Sequence, residues 1–244
     1  MNMKNILITG ASGGIGIEIA KHFAKENNHL FLVYHQNKSQ LKLLQKTCST
    51  DCFIDIFKCD LTNENEVESL VEKVISICGK IDCLINCAGV SQNKQIQDVS
   101  DNDVDYIFDN NLKSLINTTK FVSKHMISEQ YGKIINISSV WGVVGASTES
   151  LYSASKGAIN SLTLALAKEL GPSNITVNAV CPGFINTKMN SIYTQEDIAA
   201  IVDETPLQRI GQPKDVAGLV GFLASNEADF ITGQIIRVDG GWTL

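Results

Sequence analysis

Short, almost wholly apolar runs alternate along the chain with longer segments whose apolar residues recur at helical spacing. The apolar runs fall at 6–9, 30–34, 53–58, 83–86, 133–138, 175–180 and 235–238. Runs this short and this apolar predict strands buried on both faces. Between them, segments near 15–26, 39–47, 64–77, 102–127, 151–170 and 214–224 carry the spacing of amphipathic helices. Strand–helix alternation predicts an α/β fold: a Rossmann-like, doubly wound parallel sheet of about seven strands, with helices on both faces. No linker, low-complexity tract or internal repeat interrupts the pattern, so one domain is expected over 1–244. The exception to the tight alternation is 182–213, which has little strand pattern and one short helical stretch at 195–204. An insertion of this kind after a strand is expected to be a substrate lid.

Composition narrows the function classes. Hydrophobic residues make up 44% and charged residues 19%, which predicts a packed core rather than disorder. The net charge is −6 and there is no Lys/Arg block, so nucleic acid and anionic membrane are poor partners. No apolar run reaches the ~20 residues of a membrane span. The first eight residues lead directly into a strand pattern, without the apolar stretch of a secretory leader. Seven cysteines, without Cys-x-x-Cys, lie mostly in or beside apolar runs. They read as buried, reduced thiols of a cytoplasmic protein. His22, His29, His35 and His125 are scattered, and no metal site is expected.

In doubly wound sheets, ligands bind at the carboxyl ends of the strands. The turn Thr9-Gly10-Ala11-Ser12-Gly13-Gly14-Ile15-Gly16 falls there, between the first strand and the first helix. Glycine permits positive φ and close backbone approach, and a helix N-terminus offers free N–H groups to a pyrophosphate. The spacing is Gly-x-x-x-Gly-x-Gly, and by itself it also fits an ordinary tight turn. After the second strand come His35-Gln36-Asn37-Lys38. No carboxylate stands there to repel a 2′-phosphate, and Lys38 can pair with one, which favours NADP(H) over NAD(H). The alternative is a solvated loop, and Gly13 does not supply the basic residue that would strengthen the NADP reading.

Tyr152 and Lys156 lie four apart on a predicted helix and share a face. A phenol, with a pKa near ~10, is a poor base at neutral pH, and a nearby ammonium is expected to lower that value. The pair alone also fits a helix surface. Ser139 ends a strand at the ligand-binding rim, where its hydroxyl can bond a carbonyl oxygen. Asn111 interrupts the 102–127 helical pattern, where a buried amide can hold water or kink the helix.

With these residues in order, the chain resembles the short-chain dehydrogenase/reductase family over nearly its whole length. Residues 9–16 are similar to its Thr-Gly-x-x-x-Gly-x-Gly turn. Asn86-Cys87-Ala88-Gly89 is similar to Asn-Asn-Ala-Gly, with Cys87 at the second Asn. The resemblance implies that Asn111, Ser139, Tyr152 and Lys156 are the catalytic tetrad, and Asn-Leu-x-Ser fits Asn111 better than Asn110. It implies cofactor contacts at Gly10, Ser12, Gly13, Gly14, Ile15 and Gly16 in the turn, and at His35, Asn37 and Lys38 after the second strand. It places Asp60 and Leu61 at the adenine, with Asn86, Ala88 and Gly89 after the fourth strand. Pro182, Gly183, Ile185 and Thr187 would hold the nicotinamide carboxamide, and Tyr152 and Lys156 would also touch the cofactor. Val238-Asp239-Gly240-Gly241 matches the family's C-terminal ending. A homotetramer is implied as well, consistent with surplus apolar residues on the predicted helices 102–127 and 151–170.

Within the family, the short chain and its ending resemble bacterial 3-oxoacyl-acyl carrier protein reductases. Two positions where such enzymes grip an acidic carrier hold Gln130 and Ser173, which are uncharged. The alternative is the reductase acting on a 5-aminopentanone group of elongation factor P, which the stretch around Trp141, Glu149 and Trp242 resembles. On that reading Glu149 is a counter-charge for the substrate amine; otherwise it is a helix-start acid. Trp141 is either a substrate wall or plain core. A non-catalytic nucleotide-binding scaffold is a third reading, though scaffolds typically lack a complete proton-transfer set.

Overall fold

In the computed structural model, which describes residues 3–244, seven strands form one parallel sheet. Met1 and Asn2, where the leader expectation begins, lie outside the described residues. The strands are β1 (Lys4–Ile8), β2 (Asn28–Tyr34), β3 (Phe53–Lys58), β4 (Cys83–Asn86), β5 (Gly132–Ile137), β6 (Ile175–Pro182) and β7 (Ile235–Val238). Their order across the sheet is β3-β2-β1-β4-β5-β6-β7. The helices are α1 (Gly14–Phe23), α2 (Ser39–Thr47), α3 (Glu64–Cys78), α4 (Asp101–Phe108), α5 (Ser114–Glu129), α6 (Trp141–Val144), α7 (Ser150–Leu170), α8 (Gln195–Glu204) and α9 (Pro213–Leu223).

Successive strand residues point to opposite faces, so each strand feeds two cores. Ile6, Ile8, Leu30, Leu32 and Ile85 pack on one face with Ile19, Ala20, Val216 and Val220 of α1 and α9. Leu7, Phe31, Val33 and Leu84 pack on the other face with Val67, Val71, Phe121 and Val122 of α3 and α5. The near-continuous apolar strands seen in the sequence are the consequence of this double burial. Cys52, Cys59, Cys83 and Cys181 are buried within it, and all seven thiols are unpaired.

Strand order reverses between β1 and β4, which opens a crevice at their carboxyl ends. The 102–127 helical pattern is divided there. A wide π turn, Asp109–Lys113, separates α4 from α5, and Asn111 in it is fully buried. α4 begins with a capping box in which Ser100 and Asp103 exchange bonds. The 182–213 segment contains α8 at the expected place, opened by a Thr194–Asp197 capping box and burying no residue. A bridge between Ile185 and Gly211 draws the two ends of the segment together. Among the described residues, no helix is long and apolar enough to cross a membrane.

Candidate active site

A cleft of about 880 Å³ runs along the carboxyl ends of the strands. Its floor begins with the glycine turn. Gly10 has φ +60°, and a Cβ there would stand 2.6 Å from the Ala88 Cα. A Cβ on Gly16 would stand 2.2 Å from the Gly10 carbonyl oxygen. Thr9 fixes this approach: its backbone N–H donates to the Ile85 carbonyl (3.0 Å) and its Oγ1 accepts from the N–H groups of Cys87 (3.1 Å) and Ala88 (3.3 Å). Gly14, Ile15 and Gly16 open α1, and the first N–H groups of a helix have no intrahelical partner. A cradle without side chains, facing the positive end of a helix dipole, fits a dinucleotide pyrophosphate.

The expected cofactor residues divide between the cleft and its supports. Ser12, His35, Asp60, Leu61, Ala88, Gly89, Pro182, Gly183, Ile185 and Thr187 line the cleft. Asp60 accepts from the backbone and hydroxyl of Thr62, which holds its carboxyl below the ordinary range. The Asn37 side chain turns back to accept from the Ser39 N–H (2.9 Å). The Lys38 ammonium lies 5.8 Å from the centre of the Tyr34 ring. Asn86 lies under the floor. Its amide donates to Thr119 (3.1 Å) and Asn136 (3.0 Å) and accepts from Thr118 (2.7 Å), tying β4 to α5 and β5.

Ser139, Tyr152 and Lys156 all line the cleft. Gly142 lets the chain after β5 approach α7, since a Cβ there would be 2.6 Å from the Lys156 carbonyl carbon. The Ser138 hydroxyl donates to the Lys156 carbonyl (3.0 Å), and Asn160 donates to the Gly142 carbonyl (3.0 Å). These bonds set the register between the strand that carries Ser139 and the helix that carries Tyr152. The Lys156 Nζ donates to the Ile137 carbonyl (2.9 Å) and stands 5.6 Å from the centre of the Tyr152 ring. Asn111 accepts from the Val90 N–H (2.7 Å) and donates to the Val90 carbonyl (2.9 Å) and the Ser155 hydroxyl (3.0 Å). Its amide is thus spent on protein groups, so it ties the loop after β4 to α7 directly.

The electrostatics correct one expectation. Burial raises the Tyr152 phenol above its ordinary value, opposed by a hydrogen bond from Ser139. Burial also lowers Lys156 to about 8. Burial penalises both charged forms, so Tyr152 shifts in the direction opposite to that expected from its neighbouring ammonium. The phenol is therefore held protonated. Cys87 also lines the cleft, and burial pushes its thiol up to about 12.

Trp141 and Glu149 also line the cleft, joined by residues outside the sequence-predicted site: Phe184, Tyr193 and Trp242. Trp141 and Trp242 meet edge to face at 5.0 Å, and Phe184 and Tyr193 at 5.1 Å. Glu149 is partly buried; burial raises its pKa, against a hydrogen bond from Trp141. Trp242 enters the sequence reading only through the resemblance to the aminopentanone reductase, and the one local signal for Phe184 and Tyr193 is their placement in loops. Phe184 and Tyr193 are close in sequence, whereas Trp141 and Trp242 come from distant parts of the chain.

Residues 10–243 match a family model described as enoyl-(acyl carrier protein) reductase. The chain is 39% identical over 241 residues to the 3-oxoacyl-acyl-carrier-protein reductase FabG of Rickettsia typhi, covering 99% of this chain and 97% of that protein. FabG of Thermotoga maritima is 35% identical, with 99% and 98% covered. Among solved structures, a short-chain type dehydrogenase/reductase from Mycobacterium ulcerans superposes with a TM-score of 0.94 at 27% identity, covering 99% of this chain and 91% of that one. ElxO with NADP bound superposes with a TM-score of 0.91 at 30% identity, with 99% of both chains covered.

Proposed function

The chain belongs to the short-chain dehydrogenase/reductase family and is an NAD(P)-dependent oxidoreductase, and we propose that it reduces a ketone with NADP(H) as the preferred cofactor. Among ketones, the 3-oxoacyl thioester of an acyl carrier protein is the first reading, supported by the FabG relatives. The observation that carries the reductase reading is the meeting of Ser139, Tyr152 and Lys156 beside a side-chain-free pyrophosphate cradle.

The nicotinamide, when bound, supplies the hydride. Ser139 and Tyr152 hydrogen-bond the substrate carbonyl oxygen and stabilise negative charge as it develops. Tyr152 then donates its proton to that oxygen. A phenol held protonated by burial suits reduction, because the proton must be present when the hydride arrives. Lys156, with its pKa near 8, exchanges protons near neutral pH and can restore the phenol. Asn111 contributes by fixing the loop after β4 against α7. NADP preference rests on His35 and Gln36, which line the cleft where a carboxylate would repel a 2′-phosphate. The 182–213 segment is assigned as the substrate lid, because Ile185, Thr187 and Tyr193 of it line the cleft.

A second reading rests on Glu149. A carboxylate flanked by Trp141, Trp242, Phe184 and Tyr193 is suited to a substrate that carries an ammonium, as an aminopentanone does. NADPH oxidation with an acetoacetyl thioester and with an amino ketone, measured side by side and repeated with NADH, tests both readings. Strong selectivity for the thioester removes the amine reading, and the reverse removes the carrier-protein reading. Faster turnover with NADH overturns the cofactor assignment. Nucleotide binding without turnover of any ketone or alcohol leaves only the scaffold reading.

A further inference from the structure

We propose that Lys94 and Asp103, which lie outside the cleft lining, are positioning residues for the wall that carries Glu149 and Trp141. The proposal rests on the reading of that wall as the substrate side of a ketone reductase. Thr148 has φ +64°, in the left-handed region that a β-branched residue rarely enters. It immediately precedes Glu149, which caps α7, the helix that holds Tyr152 and Lys156. Such a conformation persists only where surrounding structure enforces it.

Within the turn the Glu149 N–H donates to the Ala146 carbonyl (3.4 Å) and the Ala146 N–H to the Ser153 hydroxyl (3.1 Å), and the contact on Thr148 itself comes from the loop after β4. The Lys94 backbone N–H donates to the Thr148 carbonyl at 2.6 Å. Lys94 is in turn anchored through its side chain, whose Nζ lies 2.6 Å from Asp103 Oδ2. The same carboxylate accepts from Gln92 Nε2 through Oδ1 and from the Ser100 N–H (2.8 Å) and hydroxyl (2.6 Å) through Oδ2. Near its origin the loop is held by Asn111 at Val90. The segment from Val90 to Lys94 is thus a strap fixed at both ends, and its far end presses on the turn that aims Glu149 into the cleft. Gly145, with φ +75°, starts the same turn and gives it freedom to move once the strap is released.

Asp103 has a second task, since it completes the capping box of α4, so Asp103→Ala would disturb folding as well. Lys94→Ala separates the two. The Lys94–Asp103 pair is partly exposed, with side chains 35% and 13% accessible, and partly exposed ion pairs add little to stability. The variant should melt within ~2 °C of the parent. Its KM for the ketone should rise at least about fivefold, while kcat and the KM for NADPH change less than about twofold, the pattern of lost substrate positioning. Backbone hydrogen exchange over residues 145–149 should speed up, and Lys94→Arg should restore both properties.

Unchanged exchange over 145–149 in Lys94→Ala overturns the strap, whatever the kinetics do. Equal loss of affinity for ketone and NADPH also overturns it, because that pattern means general loosening. If the unmodified protein reduces no ketone, the reductase reading fails, and the exchange comparison still decides whether Lys94 holds the turn.

Discussion

Tyr152 and Lys156 share a helix face and one burial penalty, but the penalty moves their pKa values in opposite directions. Replacing Tyr152 with Phe removes the proposed proton donor and keeps the ring that lines the cleft. Turnover should fall at least about 10²-fold with NADPH affinity nearly unchanged, as titration calorimetry beside steady-state kinetics would reveal. Lys156 makes a pH prediction for the cofactor-free protein. Its folded-state pKa of about 8 lies below the ordinary 10.5, so the fold binds fewer protons than the unfolded chain between those values. Stability contributed by this residue therefore rises with pH through that window, and the full penalty is present below pH 8. Lys156→Met should stabilise the cofactor-free protein at pH 7 by up to about 3 kcal/mol, less the lost bond to Ile137. The advantage should vanish above pH 10.5. Melting curves of both proteins across that range check the sign, and a variant less stable at every pH would refute the burial argument.

At the scale of elements, the glycine turn shows why residue type follows from close approach. A side chain on Gly16 would collide with the Gly10 carbonyl, which is backbone and cannot step aside, whereas one on Gly14 would stand 2.8 Å from the Thr187 Cγ2. Gly16→Ala should weaken NADPH binding more than about 100-fold, and Gly14→Ala by about tenfold, because a flexible methyl can yield. Adding Thr187→Ser to Gly14→Ala removes that methyl and should recover most of the affinity. Equal losses in both glycine variants would argue against this geometry. The strands and the turn are legible in the sequence because periodicity and glycine spacing are local properties. The division between α4 and α5 is legible only as an interruption at Asn111, since its amide is committed to Val90, distant in sequence. α6 escapes a periodicity argument because it spans only Trp141–Val144. Asn111, Ser139, Tyr152 and Lys156 are visible as residue types through the family resemblance, whereas the aromatic wall requires Trp141 and Trp242 to meet from distant parts of the chain.

For the whole molecule, the two cores leave one feature unexplained. α5 and α7 pack their inner sides in the same core, through Phe121 and Val122 on one and Ala167 and Leu170 on the other. Their outer sides nevertheless keep large apolar residues in solvent: Ile116 is 42% exposed, Ile127 41% and Leu164 45%. Ile116 and Ile127 are three helical turns apart and so share a face. Isolated apolar side chains on two outer helices, with Lys120 and Lys124 between those on α5, are suited to covering by a second copy of the chain. On this basis a homotetramer is proposed, built partly on α5 and α7. Sedimentation should give a particle of about four times the 26.6 kDa chain mass. Ile116→Glu combined with Leu164→Glu would place two carboxylates against their symmetry mates, where desolvation and like-charge repulsion oppose association. The variant should sediment as a smaller species while its circular dichroism stays that of a folded α/β protein. A wild-type chain that sediments as a monomer at micromolar concentration would mean that these helices face water.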